Sequence, residues 1–375
     1  MTHSYQLALY DYELPPELIA QSSVQPHHNS RLLMVDRYSG KIQEESLCWD
    51  LDTLIPKNRV LFFNNSKVMR ARLEFPNLIV KNKRGLKKEI KNAEIFFLSL
   101  KTEDTFEALV CPGKAFQVGN SFTIDDRIFE VIGITDAGRL LRLHGGRIPE
   151  FFESYGSLPL PPYIAYSKEK EKDYQSVYAE KLGSVAAPTA SLHFTNELLD
   201  KLPHKKQLIT LHVGLGTFQG VKTEDIRDYS IHEELVEVSL SIFETIANLR
   251  SSGKVILAVG TTVCRSLESL PYIWKILPED VRKSFPQKTQ DFWDSMKAID
   301  QSFVTEYVLL DDYIRFSTRI YIYEGFHFEI VEDLITNFHL PKSSLLMLIS
   351  SLLTRTHTRA LYEHAIREKY RFFSF

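Results

Sequence analysis

Four stretches of this 375-residue chain gather groups that can move a proton or hold an anion. The first is Gly183-Ser184-Val185-Ala186-Ala187-Pro188-Thr189-Ala190-Ser191-Leu192-His193-Phe194-Thr195. Its small residues let backbone approach a ligand closely, Pro188 keeps Ala187 out of helix, and Thr195 suits the N-cap of a following helix. A plain connection with a capped helix explains the same run equally well. The second, Thr210-Leu211-His212-Val213-Gly214-Leu215-Gly216-Thr217-Phe218, ends a strand in a glycine turn, where open α/β sheets place ligands. Taken alone, His212 reads as a core histidine. The third runs from Ala258 through Gly260-Thr261-Thr262 to Ser269. A strand leads there into a helix whose first N–H groups are free to hold an anion. Arg265 and Glu268 share one face of that helix, and an ion pair along it accounts for them equally well. The fourth is Thr336-Asn337-Phe338-His339-Leu340-Pro341-Lys342-Ser343-Ser344-Leu345-Leu346-Met347. It precedes a helix apolar nearly all round, hence buried. Burying Asn337 and His339 beside it is costly unless they are paired, and the pattern leans to a ligand.

Two further features carry charge. His232-Glu233-Glu234 sets an imidazole beside carboxylates, most often a solvated surface run. Residues 81–91 hold six basic side chains and one acidic, with Gly85 at a hairpin tip. Such a loop is a natural contact for a phosphate backbone, and is as often only solvated.

Standard cofactor patterns are absent. Ser252-Gly253-Lys254 lacks the earlier glycine of a phosphate loop, because position 248 is Asn248. Gly214-Leu215-Gly216 is followed by Gln219, with Gly220 one place late for a dinucleotide turn. No His-Glu-x-x-His or Cys/His spacing suggests a metal, and none is expected.

The elements that must position these groups divide into two textures. Leu78–Val80, Glu94–Leu100, Phe106–Cys111, Ser121–Ile124, Ile128–Ile134 and Leu140–Leu143 read as strands at roughly ten-residue spacing, which suggests a small barrel or sandwich. On either side the chain reads α/β. Arg31–Val35, Val60–Phe63, Gln207–Val213, Lys254–Val259 and Ile320–Tyr323 are expected strands. Ser241–Arg250, Thr262–Leu270, Ser343–Leu353 and Thr358–Tyr370 are expected helices. This alternation predicts a mostly parallel sheet. The expected division is an α/β domain of residues 1–67 and 155–375, interrupted by a β-barrel domain of residues 68–154. Residues 271–312 read as an insertion of helical surface material.

Composition agrees with a globular protein: 44% hydrophobic, 25% charged, net charge −3. There is no global basic charge, so a nucleic-acid contact must use a local patch. Three scattered cysteines suggest a reducing compartment. Neither a leader nor a membrane span is evident, and the expected setting is cytoplasmic, with a monomer as the default.

Taken together the stretches are specific. The sequence closely resembles the S-adenosylmethionine:tRNA ribosyltransferase-isomerase family of queuosine biosynthesis. Besides the four stretches, the resemblance is carried by Asp11-Tyr12-Glu13-Leu14-Pro15, Ser30-Arg31-Leu32, Phe63-Asn64-Asn65-Ser66-Lys67-Val68, Leu158-Pro159-Leu160-Pro161-Pro162-Tyr163-Ile164, Tyr174-Gln175-Ser176-Val177-Tyr178-Ala179 and Tyr370-Arg371-Phe372-Phe373-Ser374.

The resemblance implies a larger α/β domain interrupted by a small β-barrel. It implies an enzyme that moves the ribosyl part of S-adenosylmethionine onto a 7-aminomethyl-7-deazaguanine at the tRNA wobble position. The ribose becomes an epoxycyclopentanediol, and adenine and methionine leave. S-adenosylmethionine is a co-substrate, no cofactor is held permanently, and no obligate protein partner is inferred. The chemistry needs a base near C5′ and an acid for adenine, and His193, His212, His232 and His339 titrate in the range for either. Glu233 or Glu234 would hold the cationic aminomethyl group. Gly260, Thr261, Thr262 and Arg265 would take the methionine carboxylate. Tyr174, Tyr178 and Phe194 would stack on bases. Arg31, Lys67, Thr189, Gly214, Gly216, Asn337 and Lys342 complete the expected substrate contacts, and Lys83, Arg84, Lys87 and Lys88 the contacts to the tRNA backbone.

The sequence also departs from the family pattern. Ser191 stands where glycine is usual, at a cost of about 1 kcal/mol if φ there is positive. Asn64-Asn65-Ser66 replaces Asn-Asp-Thr, removing a carboxylate, and Met69 replaces a proline. The pattern normally continues past the final Ser-aromatic into Gly-Asp, whereas this sequence stops at Phe375, and an expectation of weakened activity attaches to that difference. A relative that binds tRNA or S-adenosylmethionine without turnover is the alternative.

Overall fold

The computed structural model describes residues 5–214, 216, 220–296 and 303–375. The chain divides into two compact units, residues 1–66, 162–180 and 187–375, and residues 67–161 and 181–186. The second unit thus extends past the 154/155 boundary expected from the sequence and also recruits residues 181–186.

The first unit is built on a seven-stranded sheet, in the order Val304–Leu310, Tyr313–Thr318, Glu234–Ser239, Lys206–His212, Arg59–Asn64, Val255–Val259, Asp333–Ile335. The last four strands run parallel to one another. Val60, Leu61, Phe62 and Phe63 are all buried, as a continuous apolar run in a strand covered on both faces should be. The other three pairings are antiparallel, so the sheet is parallel in one half only. The antiparallel half comes partly from the segment read as helical decoration. Asp311-Asp312 turns Val304–Leu310 back onto Tyr313–Thr318. There Ile314, Phe316 and Thr318 face inward while Tyr313, Arg315 and Ser317 face out. Ile320–Tyr323, expected as a strand, joins no ladder; Ile320, Tyr321 and Ile322 are buried and Tyr323 is half-buried.

The remainder of 271–312 is also not decoration. The Thr261–Ile276 helix continues through Pro271, and Gln287–Asp294 forms a second helix. Trp274 and Trp293 are fully buried around Phe243. Each indole N–H is satisfied, Trp293 Nε1 donating to the Phe243 carbonyl and Trp274 Nε1 to Asp294 Oδ1, both at 2.8 Å. The polar outward positions of these helices masked that inner face. Residues 297–302 of the segment lie outside the described residues.

The second unit is a closed six-stranded antiparallel barrel: Arg139–His144, Thr105–Cys111, Lys87–Leu100, Arg72–Lys81, Ser121–Ile124, Arg127–Ile134. All six apolar runs read from the sequence fall in these strands. Closure leaves no free sheet edge. Phe97, Phe106, Phe122 and Phe129 fill the interior, and Phe151 and Phe152 of the Ile148–Tyr155 helix pack against them. Met69 donates its N–H to the Ser184 carbonyl at 2.9 Å, a bond that a proline at this position could not make. The architecture is α/β with an inserted β-barrel. Among the described residues no helix is long and apolar enough to cross a membrane.

The burial of Trp293 gives a direct check. Trp293→Ala should lower the unfolding free energy by about 3–5 kcal/mol in a denaturant titration, whereas a surface position would stay within about 0.5 kcal/mol.

Candidate active site

The four parallel strands deliver their carboxyl ends to one edge of the sheet, at Asn64, His212, Val259 and Ile335. That edge is where open α/β sheets bind ligands. The fully buried Asn64 side chain ties it together. Its Nδ2 donates to the Leu211 carbonyl at 2.9 Å and its Oδ1 accepts from Leu211 N and Ser66 N. Asn65, the position of the lost carboxylate, donates to Glu180 Oε2 at 3.2 Å and accepts from Thr210 Oγ1 at 2.7 Å. An amide there avoids setting two carboxylates side by side.

Above this edge the Thr189–His193 segment forms a 3-10 helix. Ser191 is buried in it without a positive φ, so the cost anticipated for replacing glycine does not arise. His193 Nδ1 lies 3.0 Å from Ser30 Oγ, and Nε2 lies 3.1 Å from Asn337 Oδ1. Ser30 Oγ donates onward to the His27 carbonyl, and Asn337 Nδ2 to the Phe373 carbonyl. A neutral imidazole can donate to only one of its two acceptors, and an imidazolium satisfies both. His339 is held differently. Its N–H donates to the Tyr362 hydroxyl at 3.0 Å, its carbonyl accepts from Tyr12, and Nε2 lies 2.8 Å from Thr336 Oγ1.

These groups line two cavities. The larger, about 540 Å³, is walled by Arg31, His193, Phe194, Asn337 and Tyr370 among mostly apolar side chains. The smaller, about 70 Å³, is walled by Thr189, Gly260, Thr261, Thr262 and His339. Thr336, Asn337, Phe338 and Phe373 belong to both.

Burial sets the protonation of the two histidines. Desolvation pulls the His193 pKa down to about 4, with the Asn337 contact opposing it and the charges of His27 and Arg371 adding to it. Desolvation alone pulls His339 down to about 3. Neither titrates near 6.5, as the sequence had suggested. At neutral pH both are neutral, able to accept a proton but not to act as cationic acids.

Several expected contacts do not join these cavities. Arg265 is buried, its guanidinium ion-paired to Glu234 and donating to the Ile320 carbonyl at 3.1 Å. Glu268 makes no pair with Arg265. It accepts the N–H groups of Glu329, Ile330 and Val331, and burial pushes its pKa up to about 7 against those bonds. His232 Nε2 lies 3.7 Å from Glu234, and its ring packs where a side chain on Gly216 would stand. Glu233 pairs with Arg319 on the surface. His212 reaches Glu237 at 3.7 Å. By strand alternation it projects from the sheet face opposite Glu234, so the four histidines do not form one cluster. Gly214 leads into residues 215 and 217–219, which lie outside the described residues.

The stacking rings are also committed elsewhere. Tyr174 is fully buried against Phe375, and Tyr178 and Phe194 pack edge-on to Phe63. Of the three, Phe194 reaches a cavity wall. Lys342 pairs with Asp11 at 2.6 Å. Arg31 lies over the Tyr370 ring and donates to the Glu368 carbonyl. In the barrel unit Lys67, Lys83, Arg84, Lys87 and Lys88 are exposed, the last four on the hairpin whose tip Gly85 has φ +79°. Among the described residues no cluster of His, Cys, Asp or Glu could hold a metal ion.

The sequence matches the profile of the queuosine biosynthesis protein family over residues 7–375. The chain belongs to that family. It is 38% identical to an S-adenosylmethionine:tRNA ribosyltransferase-isomerase of Lachnoclostridium phytofermentans, over 97% of this chain and 93% of that protein. The like-named protein of Clostridioides difficile is 36% identical, over 98% and 96%. A solved structure of S-adenosylmethionine tRNA ribosyltransferase from Thermotoga maritima is 27% identical, covers 98% of this chain and 97% of its own, and has a TM-score of 0.49. The present chain is a queuosine-biosynthesis enzyme of the transferase-isomerase type.

Sequence reasoning missed Ser30, Thr336, Tyr12 and Tyr362. Ser30 and Tyr12 stand in stretches that carry the family resemblance, and Thr336 opens the fourth stretch, so the signal was present without a role. Only the fold shows that they clamp His193 and His339.

The depressed histidines have a consequence for stability. In the unfolded chain an imidazole titrates near 6.5, so below that pH the unfolded state takes up protons that the folded state refuses. The stability advantage of wild type over His339→Gln should therefore shrink by about 1.4 kcal/mol per pH unit between pH 6 and pH 4. Parallel urea titrations of both proteins across that range check the slope.

Proposed function

We propose that this enzyme transfers and isomerises the ribosyl moiety of S-adenosylmethionine onto 7-aminomethyl-7-deazaguanine at the tRNA wobble position. The products would be epoxyqueuosine-tRNA, adenine and methionine. The observation that carries the reading is the pair of desolvated, neutral imidazoles, His193 and His339, on walls of two adjoining cavities at the carboxyl edge of the parallel strands. A neutral imidazole is the base that a C–H acidified by a neighbouring sulfonium requires. His193 suits that role, because a ligand that displaces Asn337 frees Nε2 toward the larger cavity. Once protonated, the ring retains Ser30 as an acceptor. The larger cavity has the volume for a nucleoside, and the smaller does not.

The exposed hairpin of residues 81–91 supports a tRNA contact by charge alone. Its exposed lysines add affinity without sequence information.

Four measurements test the reading. Adenine release from S-adenosylmethionine and tRNA carrying 7-aminomethyl-7-deazaguanine, with mass analysis of the nucleosides, should give adenine and an epoxyqueuosine mass. Ligand binding without adenine would instead support a relative that has lost turnover. His193→Gln should lower kcat by about 10²–10⁴-fold, far more than His212→Gln. The acid limb of kcat/KM should fall near pH 4, where His193 titrates, rather than near 6.5. Neutralising Lys83, Arg84, Lys87 and Lys88 should raise the KM for tRNA and lower its salt slope by about one for each phosphate left without its cation. An unchanged slope would remove the hairpin from the tRNA interface.

A further inference from the structure

We propose that Lys369 and Arg371, on the rim of the larger cavity, grip the phosphodiesters flanking a nucleotide whose base enters it, so that the cavity takes the base as part of a polynucleotide. The inference rests on the function proposed above and assigns the backbone contacts next to the reacting base.

The charge of these two side chains is not spent within the protein. Both line the larger cavity and both are exposed. The acids that share the lining each have a partner. Asp333 pairs with Arg59 at 2.8 Å, Glu332 pairs with Arg250, and Asp36 accepts from Ser39 N and Oγ. The other cations of the lining are also engaged. Arg31 pairs with Glu45 at 3.3 Å and lies over the Tyr370 ring, and Arg37 donates to the Val331 and Glu332 carbonyls. Among the described residues no acid pairs with Lys369 or Arg371.

The backbone singles out Lys369. The helix Arg355–Arg367 ends beside it, with Tyr370 N turning back to the Ala365 carbonyl at 2.8 Å, and Lys369 takes φ +55°. Glycine is the residue that most often closes a helix in this way, whereas a lysine in the left-handed region is strained. The strained residue carries a cation at a cavity mouth, and such strain collects where a side chain has a use. Arg371 is anchored through one donor. A guanidinium has five N–H donors, and one of them meets the Ser22 carbonyl. Its charge also acts on His193, which sets an uncompensated guanidinium near the base of the proposed reaction.

The sign of the charge decides which ligand fits. S-adenosylmethionine bears a sulfonium, an ammonium and a carboxylate, and so is a net cation. Free 7-aminomethyl-7-deazaguanine bears a cationic amine. Neither matches two unpaired cations at the cavity mouth. A phosphodiester on each side of the wobble nucleotide reverses the sign. Bases of a single-stranded RNA loop can be splayed into a protein pocket, which leaves their phosphates at its rim. Contacts to those phosphates fix register and carry no sequence information, so the rim distinguishes a base held in RNA from the same base free.

The test titrates the full chain with an anticodon stem-loop carrying 7-aminomethyl-7-deazaguanine at the wobble position, across a salt series. Lys369→Gly and Arg371→Gln should each reduce the slope of log K against log salt by about 0.7, the value for one phosphate of a single strand. A variant equal to wild type at about 1 M salt then binds about fivefold more weakly at about 0.1 M. Arg371→Lys, which keeps the charge, should keep the slope. Lys369→Gly should melt at or above the wild-type Tm, because glycine relieves the left-handed position. A slope lost from a protein of undiminished stability separates recognition from folding. If Lys369→Gly does not fold, Arg371→Gln against Arg371→Lys decides. S-adenosylmethionine, titrated in parallel by calorimetry, should bind the variants as it binds wild type. Slopes unchanged in the neutral variants overturn the phosphate grip, and adenine release by wild type then leaves the proposed reaction standing. An equal loss of affinity for S-adenosylmethionine also overturns the grip, since the two residues would then only shape the cavity. Failure of wild type to release adenine overturns the reaction, whatever the slopes.

Discussion

The contact between His193 and Asn337 holds the candidate site together. It joins three pieces of chain that are far apart in sequence: the 3-10 turn after Pro188, the exit from the edge strand Asp333–Ile335, and the segment at Phe373. The parallel strands end below them, pinned through the Asn64 side chain. Because Asn337 borders both cavities, whatever displaces it alters both at once.

Desolvation, more than any charged partner, sets the chemistry of that region. Among the described residues no carboxylate pairs with His193 or His339 to stabilise an imidazolium, and burial pulls both pKa values far below 6.5. The contrast with the antiparallel half of the sheet is plain. There His212 and His232 each have a glutamate 3.7 Å away. Glu237 and Glu234 are in turn paired with Arg315 and Arg265. One half of the sheet thus carries neutral imidazoles in cavities, and the other carries compensated ion pairs.

Much of the fold was legible in the sequence. The six barrel strands announced themselves through short apolar runs and turn residues, because an antiparallel barrel repeats one simple pattern. The buried parallel strands were legible as continuous apolar runs. The antiparallel hairpin at 304–318 was not, since its outward residues are as polar as those of a loop and only the inward alternation marks it. Trp274 and Trp293 were misread as surface for the same reason: helices with one buried face look polar in composition. Of the residues singled out by density of functional groups, His193, Asn337, Gly260 and His339 line the two cavities. Arg265 lines neither cavity, which its type could not show, because sequence gives a side chain's type and not its partner, and Glu234 lies 31 positions away.

Arg265, the side chain whose type best suits an anion, is not free to meet one. An arginine buried against one glutamate is already compensated, and pulling it off to meet a substrate would strand the Glu234 carboxylate at a cost of about 3–5 kcal/mol. A backbone N–H at a helix start carries no such obligation. It has no competing partner to leave, and its direction is fixed by the helix rather than by a rotamer. A formal positive charge beside His193 and His339 would depress both further and weaken them as bases, and the Arg265–Glu234 pair keeps its guanidinium compensated outside both cavities.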